Sequence, residues 1–212
     1  MRGEVLKYRN YIIRILITAV ALTIVGVGIG IFLFSGLGVD PGSVLITGIS
    51  NALNVSFGVA SAIINFLILA VVFFIDKKYV NIASVLAIIV IGFTADATNS
   101  ALANIIMPEQ MNIALSFVFI IVGCTIVGFA VAAYIRADLG VSAFDLVSEI
   151  ISDKLKLPYR WVRIAGDLTY IAVGFLLGGV VGVGTLVAGV LTGLMVAFFR
   201  PFANRFVDKL VK

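Results

Sequence analysis

The chain has 212 residues, of which 62% are hydrophobic and only 12% charged. Soluble domains carry about 25% charge, so the composition describes one membrane domain, residues 1–212, with almost nothing outside the bilayer. Fifteen Lys and Arg against eleven Asp and Glu give a net charge of +4, and there is no histidine; Ser–His intramembrane proteases and His-Glu-x-x-His metalloproteases are excluded as usually built.

Six apolar stretches follow in chain order: 11–34, 58–75, 79–99, 112–135, 161–178 and 182–199. Each can cross a hydrocarbon core about 30 Å thick at 1.5 Å per residue. The basic segment before the first has no small-residue cleavage site after its apolar run, so it reads as a retained span. Threaded from a cytoplasmic N-terminus, the six spans put every Lys and Arg at the cytoplasmic face. The outer segments 35–57, 101–111 and 179–181 hold none. This is the positive-inside pattern, with both termini cytoplasmic. It makes anionic lipid heads of the cytoplasmic leaflet the expected partner and leaves no role for nucleic acid. Cys124 is alone and inside a span, so no intrachain disulfide forms. No P-loop, Gly-x-Ser-x-Gly, Cys-x-x-Cys or haem ligand pair occurs, so no cofactor, metal or catalytic residue is expected.

A shift of 102 residues superimposes the chain on itself. Thr23-Ile24-Val25-Gly26 falls on Thr125-Ile126-Val127-Gly128, Leu37-Gly38-Val39 on Leu139-Gly140-Val141, and Ala70-Val71 on Ala172-Val173. The repeats are about 11–100 and 112–200. Three spans per copy make the second enter from the opposite side, so the expected architecture is all-α, with six transmembrane helices as two inverted repeats. Inverted repeats are a hallmark of secondary transporters, although channels and scaffolds use them too.

Each copy carries a short amphipathic helix after its first span. In copy one Asp40 is the N-cap and Pro41 the first helical residue, with a polar stripe including Ser43 and Thr47. In copy two Ser142 caps a helix whose stripe includes Asp145 and Glu149. Two readings stay open: a helix lying in the membrane interface, or a re-entrant half-helix with its N-terminus aimed at a substrate. The charges of copy two favour the interface.

Asp167 is the first candidate for substrate or ion binding, because an acid inside a span is costly unless paired or functional. Arg163 lies four residues earlier on the same face, which also allows a simple anchoring ion pair. The repeat places Asn65 at the position equivalent to Asp167, where it could flank a shared site or only bridge helices. Asp96 reads as a solvated outer carboxylate or as a proton or cation site. An aspartyl protease is disfavoured, since Ile164-Ala165-Gly166-Asp167 lacks the Gly-x-Gly-Asp pattern and the two acids lie toward opposite faces. The Gly-rich turn of Gly178, Gly179, Gly182, Gly184 and Thr185 is a hairpin whose N–H groups could also cradle an anion.

On these residues the chain resembles the YczE/YitT-type bacterial integral membrane proteins, most of all the YczE branch. The likeness lies in Gly36-Leu37-Gly38-Val39-Asp40-Pro41, in Leu139-Gly140-Val141 with Asp145, in Arg163 with an acid four residues on, and in Leu177-Gly178-Gly179 with Gly182-x-Gly184-Thr185. Asp96 matches an acid common in that family. Asp167 stands where the family often has Glu, and Asn81-Ile82-Ala83 where it often has a Gly-Thr pair. The resemblance implies a six-span inner-membrane protein and no particular substrate. The leading expectation is a secondary transporter of a small molecule or ion, with its site near Asn65 and Asp167 at the repeat interface. A non-catalytic scaffold or accessory subunit, monomeric or self-associating through Gly faces, comes second. A passive channel comes third, and an enzyme is not expected.

Overall fold

The computed structural model describes residues 2–106, 111–140 and 142–211, with side chains from Tyr8 onward. All regular structure among them is helical. The helices are α1 (Arg2–Ser35), α2 (Pro41–Leu53), α3 (Phe57–Ile75), α4 (Ile82–Ile105), α5 (Ile113–Ala137), α6 (Ala143–Leu155), α7 (Tyr159–Leu176) and α8 (Val183–Leu210), with a 3-10 turn at Lys77–Tyr79 between α3 and α4. Five of them, α1, α3, α4, α5 and α8, are long and apolar enough to cross a membrane. The expected fifth span is the exception. α7 has 18 residues and includes Arg160, Arg163 and Asp167, so its composition is amphipathic rather than uniformly apolar. α8 also outruns the expected 182–199, continuing through Pro201 to Leu210.

The surface is inverted relative to a soluble protein. Small and polar side chains such as Ala21, Ala130, Ser61 and Ser84 are buried, while Phe66, Phe74, Leu186 and Phe198 are exposed. Lipid replaces water as the outer medium, and helices then associate through close packing of small residues. Gly26 and Gly30 of α1 lie against α4, where a Cβ would stand 2.7 Å from Ile91 O and 2.6 Å from Ala95 O respectively. Gly128 of α5 lies in the same way against Met195 and Val196 of α8.

Packing sorts the helices into two groups. α1 packs on α4 and α5, and α5 on α8, around a core of Leu22, Val25, Ala87, Ala130 and Ala203. α2 packs on α3 and α7, and α6 on the same two. The groups meet at the α3–α4 seam, where Gly58 and Gly92 touch backbone to backbone.

Local details recur 102 residues apart. Asp40 and Ser142 N-cap α2 and α6, and their C-caps Asn54 and Lys156 are both left-handed, at φ 53° and 54°. Ser50 Oγ donates to Val55 O at 2.6 Å, and Ser152 Oγ to Leu157 O at 2.7 Å. Gly38 and Gly140 adopt φ 116° and 110°, values that disfavour a side chain. Leu37 O accepts from Gly184 N at 2.8 Å, and Leu139 O from Ala83 N at 3.2 Å, with the two donors one residue out of register under the same shift.

Candidate functional site

α2 and α6 pack their N-terminal halves against the rest of the protein. Ser43 to Gly48 are buried in α2, while Asn51 to Asn54 are exposed. In α6, Ala143, Leu146, Ser148 and Ile150 are buried and residues 153–156 exposed. The charge of α6 is tolerated because its part-buried acid Asp145 is paired, as described next. The two N-termini approach one another: a Cβ on Gly42 would stand 3.5 Å from the Phe144 ring.

They meet at a cavity of about 420 Å³ to which all eight helices contribute side chains. Arg163 of α7 is its electrostatic centre. One guanidinium nitrogen donates to Asp145 in the first turn of α6. Nε donates to Asp167 Oδ2 at 3.1 Å, while the buried Oδ1 of Asp167 accepts no hydrogen bond. Asp145 Oδ2 also accepts from the Ser142 hydroxyl at 2.8 Å. Asp40 caps α2, with Oδ1 accepting from Ser43 Oγ at 2.6 Å and Oδ2 from Ser43 N at 3.2 Å. Asn65 lies across the cavity from α7, its amide nitrogen donating to Ser61 O at 2.7 Å and Ser61 Oγ at 3.2 Å.

Of the residues singled out in the sequence, Asp167, Arg163, Asn65, Asp40, Ser43, Ser142 and Asp145 thus share one cavity. Others do not line it. Asp96 accepts from Gly58 N at 2.8 Å and so caps the start of α3. Thr47 donates to Val44 O at 2.9 Å and accepts from Val180 N at 3.4 Å. Glu149 is half-buried farther along α6. The Gly-rich turn is a packing joint, because its N–H groups are spent internally. Gly178 N bonds Phe175 O, Gly179 N bonds Gly174 O, Gly182 N bonds Thr185 Oγ1, and Gly184 N bonds Leu37 O.

Five aromatic residues of the lining, Phe32, Phe57, Tyr134, Phe144 and Tyr170, escaped the sequence reading. Tyr170 follows Arg163 and Asp167 at i+7 and i+3, so helical spacing alone places it on their face. Its ring stacks edge-on against Phe144, centroids 5.0 Å apart, and its buried hydroxyl has no hydrogen-bond partner. Phe144 sits on the apolar side of the short helix, which disguised it as packing. On α8 the cavity wall is Ala188, Gly189, Thr192, Gly193 and Val196.

Apolar helices with lipid-type surfaces, folded around a cavity lined by both apolar and charged side chains, define an integral multi-pass membrane protein. The chain belongs to the family of unknown function DUF6198, whose model matches residues 12–201. It is 27% identical over 199 residues to the uncharacterized membrane protein YczE of Bacillus subtilis, covering 93% of this chain and 86% of that protein. It is 32% identical over 185 residues to an uncharacterized protein of Haemophilus influenzae, covering 87% and 82%. It is 24% identical over 201 residues to the uncharacterized protein YyaS of Bacillus subtilis, covering 94% and 95%. No solved structure matches the chain.

Proposed function

We propose that the chain is a secondary transporter of the bacterial inner membrane, built from two inverted repeats with α7 as a sixth span and both termini cytoplasmic. One observation carries this reading. Positions equivalent under the 102-residue shift, Asp40 with Ser142 and Asn65 with Asp167, line a single cavity at the junction of the two copies. Transporters with inverted repeats hold substrate between the copies, often at the N-termini of discontinuous helices. The recurrence of N-caps, left-handed C-caps and Ser-to-carbonyl bonds at the same offset supports the duplication. Paired acids and an arginine inside a membrane domain also favour a transport role over a packing role. Asp167, whose Oδ1 accepts no hydrogen bond, is the residue assigned to the substrate or a coupling proton, and no enzymatic step is assigned.

The test is binding and flux with the whole protein. A panel of metabolites and ions is screened against thermal stability, and hits are carried into proteoliposome uptake. A ligand at about 100 times its Kd adds about 2.7 kcal/mol of stability. A hit abolished by Asp167→Asn, with ion-dependent uptake, supports the transporter. A well-folded protein that responds to nothing and copurifies with a stoichiometric partner supports the second reading, a scaffold. That reading draws on Gly189 and Gly193, which remain open on α8 while Gly26 and Gly30 are packed inside.

A further inference from the structure

Charge balance narrows what this cavity can take. The charged residues among its described lining are Asp40, Asp145, Asp167 and Arg163. Three carboxylates against one guanidinium leave two negative charges uncompensated. The N-termini of α2 and α6 each contribute about half a positive charge, which reduces the excess to about one negative charge. An anion is repelled, and one monovalent cation restores neutrality.

The free acceptors are few. Both Asp40 oxygens are held by Ser43, and Asp145 is held by Ser142 and Arg163. Asp167 Oδ1 accepts no hydrogen bond although it stands 3.1 Å from Arg163 Nε in their ion pair, and the Tyr170 and Thr192 hydroxyls have no hydrogen-bond partner. A bare metal ion needs about six oxygen ligands, which these groups do not supply. An organic cation needs one or two acceptors and an aromatic wall, which Asp167, Tyr170 and Phe144 do supply. The volume of about 420 Å³ suits such a molecule.

The α8 wall of the cavity is exposed at Gly189 and Gly193. In copy one the seam between α3 and α4 is shut, since a Cβ on Gly92 would stand 2.7 Å from Ser61 Cβ and 3.0 Å from Gly58 Cα. The positions equivalent to Gly58, Ser61 and Gly92 are Arg160, Arg163 and Leu194. With those larger groups α7 forms no matching seam with α8, and a Cβ on Gly189 or Gly193 would meet nothing within 4 Å. Leu168 and Phe175 of α7 and Val190 and Leu194 of α8 are exposed.

Resting on the transporter reading, we infer that the cavity binds a monovalent organic cation with an apolar body, admitted from the bilayer through a window between α7 and α8. Asp167 and Tyr170 hold the charged head, and the body lies along Gly189 and Gly193.

The test uses phenyltrimethylammonium and its uncharged isostere tert-butylbenzene on the purified full chain in nanodiscs. The cation is expected to bind about tenfold or more tightly than the isostere, with Asp167→Asn and, independently, Tyr170→Leu each erasing most of the difference. Gly193→Trp, placed in open space, is expected to slow association severalfold while Gly193→Ala does not. Equal binding of the two probes, or no binding of the cation to folded protein, overturns the cation assignment. Unchanged association in Gly193→Trp overturns the lateral route. If a neutral or anionic ligand binds instead, and Asp167→Asn abolishes it, only this inference falls and the transporter reading stands. If no class of ligand binds, both fall.

Discussion

Arg163 on α7 is clamped between Asp145 on α6 and Asp167 one turn along its own helix. All three side chains are about one-third exposed or less, at 33%, 26% and 28%, so solvent screens the pairs only in part. Arg163→Ala leaves two acids facing each other across the cavity. The expected loss is about 2 kcal/mol, between the values for surface pairs and fully buried ones. Arg163→Lys should recover only part, because an ammonium cannot place two separated N–H groups on two carboxylates. Denaturant unfolding in detergent reads both.

Asp96 behaves differently from Asp167 because it caps a helix. Asp96→Ala removes the acceptor of Gly58 N–H and should cost about 1 kcal/mol. Ligand affinity should be unchanged. Parallel thermal-shift and binding measurements separate the two acids, and a loss of binding in Asp96→Ala at full stability would contradict this assignment.

Glycines that share the same sequence pattern should respond in opposite ways. Gly174 of α7 faces α2 so closely that a Cβ would stand 2.5 Å from Val44 O. Gly174→Ala must push two backbones apart, at a cost of about 1–3 kcal/mol. Gly193→Ala meets open space and should be neutral or stabilising by up to about 1 kcal/mol through helix propensity. Melting temperatures of the two variants give the comparison directly.

Alkaline pH should loosen one contact on the chain's basic face. Tyr79 OH donates to Asp153 Oδ2 at 2.5 Å and ties the α3–α4 turn to α6. The Asp153 carboxylate and then burial raise the phenol above its usual value of 10. A raised folded-state pKa means the stabilisation is complete below pH 10 and is lost as pH rises through the higher folded value. Tyr79→Phe should therefore be less stable than wild type at pH 8, with the gap narrowing above pH 10. A gap that stays constant across that range would refute the contact.

Five of the six expected spans, the short helices and most of the cavity were legible in the sequence because each leaves a periodic or charge signature. Asp40-Pro41 announces α2, and the 102-residue shift pairs Asn65 with Asp167 before any coordinates. The depth of α6 was not legible, because a helix bearing Asp145 and Glu149 reads as solvated until Arg163 is seen to pair with Asp145. That pair joins residues 18 apart on separate helices, beyond the reach of helical periodicity. Asp96 was misleading for the related reason that its partner, Gly58 N–H, belongs to another helix. Phe144 was hidden because an apolar side chain looks the same in sequence whether it faces a core or a cavity.

The two helix groups do not coincide with the two repeats. Each group takes two main helices or helix pairs from both copies, and they are joined at the Gly58–Gly92 seam while the opposite edge between α7 and α8 stands apart. The molecule is built like a book, with a glycine spine along one edge and loose pages along the other. Any swing of one cover against the other turns about that spine and changes the width of the far edge most. A bulky residue at Gly92, whose added Cβ alone would stand 2.7 Å from Ser61 Cβ, would force that spine apart without touching the cavity's charged residues.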